Sequence, residues 1–213
     1  MRLVDLFCCA GGASAGYARA GFEVRGVDIV KQPEYPYPFT LGDALREDLR
    51  DADAIHASPP CKVHTPLRHT ARREMNHVDL IGPTRDLLVA TGLPYVIENV
   101  VGARPVMLDP VCYCGSSFGL AVRRHRLFES NFPLVAPACD HASQPVVLGV
   151  YGTGGSDSGR AARGGGGGVK VSGRAAADAL GIDWTTNQTR LSQAIPPAYT
   201  EHIGRQLLAV LQR

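Results

Sequence analysis

The chain has 213 residues, 45% hydrophobic and 20% charged, with a formal net charge of +2. That is enough for one globular domain with a full core, and too mild a charge to dictate a nucleic-acid partner unless basic residues cluster. No apolar run approaches the roughly 20 residues of a bilayer span and Met1-Arg2-Leu3-Val4-Asp5 opens no secretory pattern, so a cytoplasmic protein is expected, with no membrane partner and its six cysteines reduced.

Leu3-Val4-Asp5-Leu6-Phe7 reads as a buried strand, followed by a Gly11-Gly12 turn and a helix through Tyr17 and Ala20 that Gly21 closes. A second strand, Val24 to Asp28, follows at once. Strand, glycine turn, helix, strand is the opening of a doubly wound, Rossmann-like α/β sheet with mostly parallel strands. In such sheets the first turn holds a nucleotide-like ligand at a helix N-terminus. Asp28, ending the second strand, is placed to accept from ribose hydroxyls. Beyond Pro33, Pro36 and Pro38, Leu41-Gly42-Asp43 marks another acidic turn before a short helix ending near Leu49.

The next strand, Asp53 to Ala57, delivers Ser58-Pro59-Pro60-Cys61. Two ring-locked residues hold that cysteine on a stiff loop, which is how a nucleophile is presented, although the motif alone also suits a turn with a buried thiol. The polar stretch Lys62 to His77 is too long for a tight connection and reads as a functional loop, its Arg68, Arg72 and Arg73 able to close over a site. A helix, Val78 to Thr91, leads to a strand, Pro94 to Ile97, that ends in Glu98-Asn99; Arg124-His125-Arg126 stands further on. Ligands gather at the carboxyl ends of strands in these sheets, so the glycine turn, Cys61 and Glu98-Asn99 should share one crevice. From Ser130 to Gln188 the periodicity fades, and Gly164 to Gly168 reads as linker. Tyr199, Ile203, Leu207, Val210 and Leu211 then fall on one helical face. The predicted organisation is a catalytic part over 1–129, a short target-reading segment over 130–188 and a closing motif with its helix over 189–213.

This combination resembles the DNA (cytosine-5) methyltransferases, with matches from Asp5 to Phe128 and from Arg190 to Gly204. The resemblance implies the class I methyltransferase fold, S-adenosylmethionine as cofactor and duplex DNA as substrate, acted on by a monomer. Asp5-Leu6-Phe7-Cys8-Cys9-Ala10-Gly11-Gly12 matches the family's cofactor turn, with Phe7 meeting the adenine. Asp28 matches the ribose-binding acid and Asp43 the residue near the adenine amino group, and Pro60 and Gln193 complete the cofactor set. Ser58-Pro59-Pro60-Cys61 looks like the nucleophile motif, with Ser58, Pro59 and Asn99 toward the substrate. Glu98-Asn99-Val100 is similar to the family's Glu-Asn-Val, Arg124 and Arg126 to its arginine pair. Gln193-Ala194-Ile195-Pro196-Pro197 resembles the closing motif, whose helix packs beside the first strand.

The implied chemistry is methyl transfer to carbon 5 of cytosine. Cys61 attacks carbon 6 and turns the ring into an enamine, Glu98 in a dry pocket holds a proton toward ring nitrogen 3, and Arg126 holds the carbonyl oxygen. The base must be flipped out of the duplex, at about a few kcal/mol. Four positions depart from the usual pattern: Cys9 where glycine is common, Lys62 and Val122 where glutamine is, and Gln193 where asparagine is. The small, glycine-rich 130–188 segment predicts a short or relaxed recognition sequence. Methylation of tRNA and a non-catalytic remnant are the alternatives, and restriction protection, phage-genome modification or regulation the roles considered. Cys112, Cys114, Cys139 and His141 could supply four zinc ligands, but the Cys-x-Cys spacing is short and the expected chemistry needs no metal, so buried thiols and no metal are expected. Trp184 reads as a packing residue.

Overall fold

In the computed structural model, which describes residues 1–65, 78–151 and 168–212, seven strands build one sheet. They are β1 (Arg2–Leu6), β2 (Glu23–Asp28), β3 (Phe39–Leu41), β4 (Ala54–Ala57), β5 (Tyr95–Val100), β6 (Val111–Tyr113) and β7 (Arg126–Ser130), in the order β3-β2-β1-β4-β5-β7-β6. Pairing is parallel from β3 through β5, and β7 runs antiparallel to both neighbours. Two short strands, β8 (Leu148–Gly149) and β9 (Val169–Lys170), pair separately. The helices are α1 (Gly12–Ala20), α2 (Ile81–Thr91), α3 (Gly173–Leu180), α4 (Gln188–Gln193) and α5 (Pro197–Leu211). Among the described residues no helix is long and apolar enough to cross a membrane.

The central strands are apolar on both faces because each face is covered, as parallel sheets require. Val4, Leu6, Ile55, Ala57, Ile97 and Leu127 enter one core with Ile81 and Leu88 of α2. Leu3, Ala54, Val96 and Phe128 enter the other with Tyr17 of α1 and Tyr199, Ile203 and Leu207 of α5. Helices α1 and α5 meet at very close range: a Cβ on Gly16 would lie 2.0 Å from Thr200 Oγ1 and 2.2 Å from the Pro197 carbonyl oxygen. Thr200 Oγ1 donates to the Ala13 carbonyl at 2.8 Å across this contact.

Several elements differ from expectation. β3 went unread because three residues behind a proline-rich loop carry no periodicity. The predicted short helix before Leu49 is a single 3₁₀ turn, Ala44–Arg46. α2 starts at Ile81, where Asp79 Oδ1 accepts the Ile81 N–H at 3.0 Å, three residues later than predicted. The strand expected to stop at Ile97 continues to Val100, since β7 pairs alongside it. In the segment whose periodicity fades, α3 buries alanines against Ala10, Val122, Val150 and Leu191 in a third cluster. Alanine is the best helix former but a faint hydrophobic signal. Arg68, Arg72, Arg73 and residues 164–167 lie outside the described residues.

Candidate active site

After β1 the backbone enters left-handed conformations at Phe7 (φ 58°), Cys9 (φ 45°) and Gly11 (φ 82°), which folds 7–11 into a tight turn ahead of α1. Asp28, at the end of β2, holds that turn: its Oδ2 accepts the Cys9 N–H and its Oδ1 the Val30 N–H, both at 2.9 Å. An ionised carboxylate has about four acceptor positions, so both oxygens keep one to offer. Asp43 is exposed and caps the 3₁₀ turn through the Leu45 N–H at 3.0 Å. Phe7 is half-buried against the first core, while Cys8 and Ala10 are buried.

Glycine is required at the next two positions. A Cβ on Gly11 would come within 2.9 Å of the Tyr35 ring, and one on Gly12 within 2.1 Å of the Ile195 carbonyl oxygen. The turn is thus wedged between the proline-rich loop and the closing motif. Cys9 Sγ donates to Gln193 Oε1 at 3.3 Å, and Trp184 Nε1 donates to the Ala10 carbonyl at 2.8 Å. Arg190 pairs with Glu34 at 2.7 Å, and Thr185 donates to the same carboxylate, tying the loop to α4 and the stretch just before it.

Register brings the remaining groups to one face of the sheet. Asp5 pairs with His56, His56 with Val96 and Glu98 with Phe128, and alternate residues along a strand share a face. Asp5, His56, Glu98 and Arg126 therefore line up at the carboxyl ends of β1, β4 and β5. Arg126 joins them because β7 is reversed, so its first residue lies opposite Val100, the last of β5. Glu98 and Arg126 are diagonal cross-strand neighbours, within reach of a long side chain; Arg126 Nε lies 3.1 Å from Glu98 Oε1.

Glu98 is buried, and loss of hydration raises its pKa above the ordinary carboxylate value despite the opposing pull of Arg126, Arg124 and a Ser58 hydrogen bond. Cys61 is half-buried at the start of the 3₁₀ turn Lys62–His64. Burial raises its thiol pKa, Glu98 adds to that, and Arg126 and Arg124 oppose it, so the sulfur lies within the field of all three. Asn99 fixes the proline pair, its Nδ2 donating to the Pro59 carbonyl at 3.0 Å. Pro60 is exposed beside the cysteine.

Arg124 and Arg126 take different directions. Arg124 has a left-handed backbone (φ 39°), and its guanidinium donates to the carbonyls of Ala194 (2.8 Å), Val150 (3.1 Å), Ser192 (2.6 Å) and Leu191 (3.4 Å). Burial and the neighbouring Arg126 push its pKa down to about 9. Tyr199 OH donates to the carbonyls of Arg123 (3.1 Å) and Arg124 (3.0 Å), pinning the same turn from α5.

No protein-family model matches the sequence, and no curated protein sequence matches it. Three similar structures are an E. coli protein assigned as a DNA modification methyltransferase encoded within a prophage, with 15% identity, TM-score 0.61 and all of both chains covered; S. pombe Dnmt2 methyltransferase, with 12% identity, TM-score 0.59 and 99% of that chain covered; and Entamoeba histolytica methyltransferase EhMeth, with 10% identity, TM-score 0.60 and 99% covered. Each covers 100% of this chain. The chain shares their fold.

Sequence reasoning passed over the polar groups beneath the site. His56 is fully buried, with Nδ1 3.0 Å from Tyr17 OH and Nε2 2.9 Å from Ser58 Oγ, and burial pushes its pKa down to about 3. Asp5 accepts from Ser14 Oγ, which also lies 2.6 Å from Tyr35 OH, and burial pushes its carboxyl up to about 7. A histidine inside Ala54-Ile55-His56-Ala57 and an aspartate inside β1 were the available signals: polar residues within buried strands need partners. Trp184 does pack in the third cluster, and its indole N–H also braces the Cys9-Ala10 backbone.

Proposed function

We propose that the protein transfers a methyl group from S-adenosylmethionine to carbon 5 of cytosine in DNA, through a covalent adduct with Cys61 on a flipped-out base. The observation that carries this reading is buried Glu98, paired with Arg126, beside Cys61, the carboxyl and the thiol standing at the carboxyl ends of two adjacent parallel strands. A thiol, a carboxyl held toward its protonated form and a guanidinium are the three groups that addition to carbon 6 of a pyrimidine requires.

The turn fits an adenosine-type cofactor. Phe7 offers a half-buried aromatic face, Asp28 keeps acceptor positions for ribose hydroxyls, and Asp43 is exposed for the adenine amino group. Cys8, Cys9, Ala10, Gly11 and Gly12 supply backbone, and Gln193 closes the side through Cys9. S-adenosylmethionine supplies the electrophilic methyl group when bound. The chain's own residues do the rest. Cys61 gives up its proton to water and adds through sulfur to carbon 6, Glu98 donates a hydrogen bond at ring nitrogen 3, and Arg126 turns its fork to the carbonyl oxygen; once carbon 5 carries the methyl group, its proton leaves to water, the carbon–sulfur bond breaks and the ring regains its double bond with Cys61 free. Asn99 and Pro59 keep the nucleophile loop in register, and Ser58, tied to His56, steadies Glu98. Arg124, its donors given to backbone carbonyls, positions Arg126 by holding the closing motif against their shared turn.

DNA is favoured as substrate by the similarity to the prophage-encoded protein assigned as a DNA modification methyltransferase. Incubation of purified protein with methyl-tritiated S-adenosylmethionine and duplex DNA should put label into 5-methylcytosine on nucleoside digestion, with RNA giving none and Cys61→Ala abolishing transfer. Label in RNA alone would redirect the substrate, and equal label without the thiol would remove the mechanism.

A further inference from the structure

The irregular segment after β7 converges on the arginine turn through sulfur and imidazole. Cys114, His125, Cys139 and His141 each offer one ligand atom, and these atoms all lie within 4.8 Å of one another. Cys114 Sγ is 3.3 Å from His141 Nε2, and Cys139 Sγ is 3.6 Å from His125 Nε2. Zinc bonds of about 2.3 Å to sulfur and about 2.0–2.1 Å to nitrogen give tetrahedral sulfur-to-nitrogen edges of about 3.6 Å. We propose that these four side chains form a structural zinc site that clamps the 133–144 segment to the turn carrying Arg124 and Arg126.

Two thiolates and two imidazoles fill the coordination sphere and leave no open position, which is the mark of a structural rather than a catalytic zinc. The ligands come from three places: Cys114 directly after β6, His125 directly before β7, and Cys139 with His141 beyond it. Their backbones are already fixed. Gly115 N–H donates to the Arg123 carbonyl at 2.6 Å, which sets the first ligand beside the turn of the second. Ser116 Oγ lies 3.1 Å from Cys114 Sγ and accepts the Asp140 N–H at 3.0 Å, an outer-shell hydrogen bond linking a metal-binding sulfur to the backbone between the last two ligands. Ser117 Oγ donates to the Ala138 carbonyl at 2.8 Å and Gln144 Nε2 to the Leu120 carbonyl at 2.8 Å. The two imidazoles meet edge to face, 5.3 Å between centroids, and both bring Nε2 to the cluster.

The ligand set revises the one weighed from sequence. Cys112, suggested by its Cys-x-Cys spacing, packs against the first core. His125 takes its place, hidden in the sequence as the spacer between two arginines.

Elemental analysis of untagged, full-length protein purified under reducing conditions should find about one zinc per chain. Exchange with cobalt should give the visible ligand-field bands of a tetrahedral thiolate site. Cys139→Ser and His141→Ala should each lower bound metal to below about a tenth of an equivalent, while Cys112→Ser keeps it whole. Wild-type protein with neither zinc nor the cobalt spectrum would overturn the proposal. So would a Cys114–Cys139 disulfide in non-reducing peptide maps, or metal loss in Cys112→Ser equal to that in Cys139→Ser. Metal content is read without turnover, so this test and the methyl-transfer assay fail independently.

Discussion

Arg124 and Arg126 are two residues apart and do different work. A lysine at 126 could still offer a charge, but one at 124 could not reach carbonyls on two separate stretches of chain at once, since the guanidinium fork is what spans them. Arg124→Lys is expected to cost about 2–4 kcal/mol in urea unfolding, by leaving buried carbonyls unpaired, and to lower kcat. Arg126→Lys should spare stability and lose transfer. At the glycine turn after β1, Cys9 has φ 45°, a conformation costing a non-glycine residue about 1–2 kcal/mol. Cys9→Gly should therefore leave stability within about 1 kcal/mol of wild type, whereas the β-branched Cys9→Val should lose more than about 2 kcal/mol by the same measurement. The sequence put Cys61 and Glu98 in one crevice by strand-end position and residue type, while Arg126 entered only through the family resemblance, since it opens a reversed strand rather than ending one. It could not separate Arg124 from Arg126, nor notice His125, because the backbone handedness that sends these three side chains apart leaves no trace in composition.

Strand register carries the next level of consequence. Asp5 and His56 are register partners across β1 and β4, and both are fully buried. Asp5 rises from 3.8 to about 7, so between those values the folded chain keeps a proton that the unfolded chain has released. Its stabilising contribution is whole below about pH 4 and declines as pH rises toward 7, an upper bound of about 4 kcal/mol. Asp5→Asn, which can still accept from Ser14, should gain stability over wild type at pH 8 and little at pH 4, as read by denaturant titration at both values. His56 acts in the opposite sense: pushed down to about 3, it withdraws stability as pH falls below its ordinary 6.5. Between α1 and α5, Gly16→Ala would drive a methyl into Thr200 and the Pro197 carbonyl, and should cost about 2–3 kcal/mol or more in thermal unfolding. The strands and helices with apolar periodicity were legible in the sequence. β3 and α3 were not, since three edge residues and a run of alanines carry little hydrophobic contrast.

The strand order, with its single reversed member, explains why one crevice collects contributions from both halves of the chain. Residues 1–130 provide thiol, carboxyl, guanidinium and glycine turn, but the turn's outer wall and the carbonyls that hold Arg124 come from 150 and 191–195. Sequence order shows the early motifs and the closing motif as separate blocks; the resemblance implies that the last helix returns to the first strand, and the structure adds its close contact with α1. That packing makes the protein naturally divisible. A chain severed between positions 151 and 168 would yield two fragments, each missing what the other supplies to one buried contact, so neither should work alone while co-expression should reunite them. Fusing the fragments to domains that associate on demand would then turn the proposed methyl transfer into a recorder of the encounter, written in the nucleic acid itself.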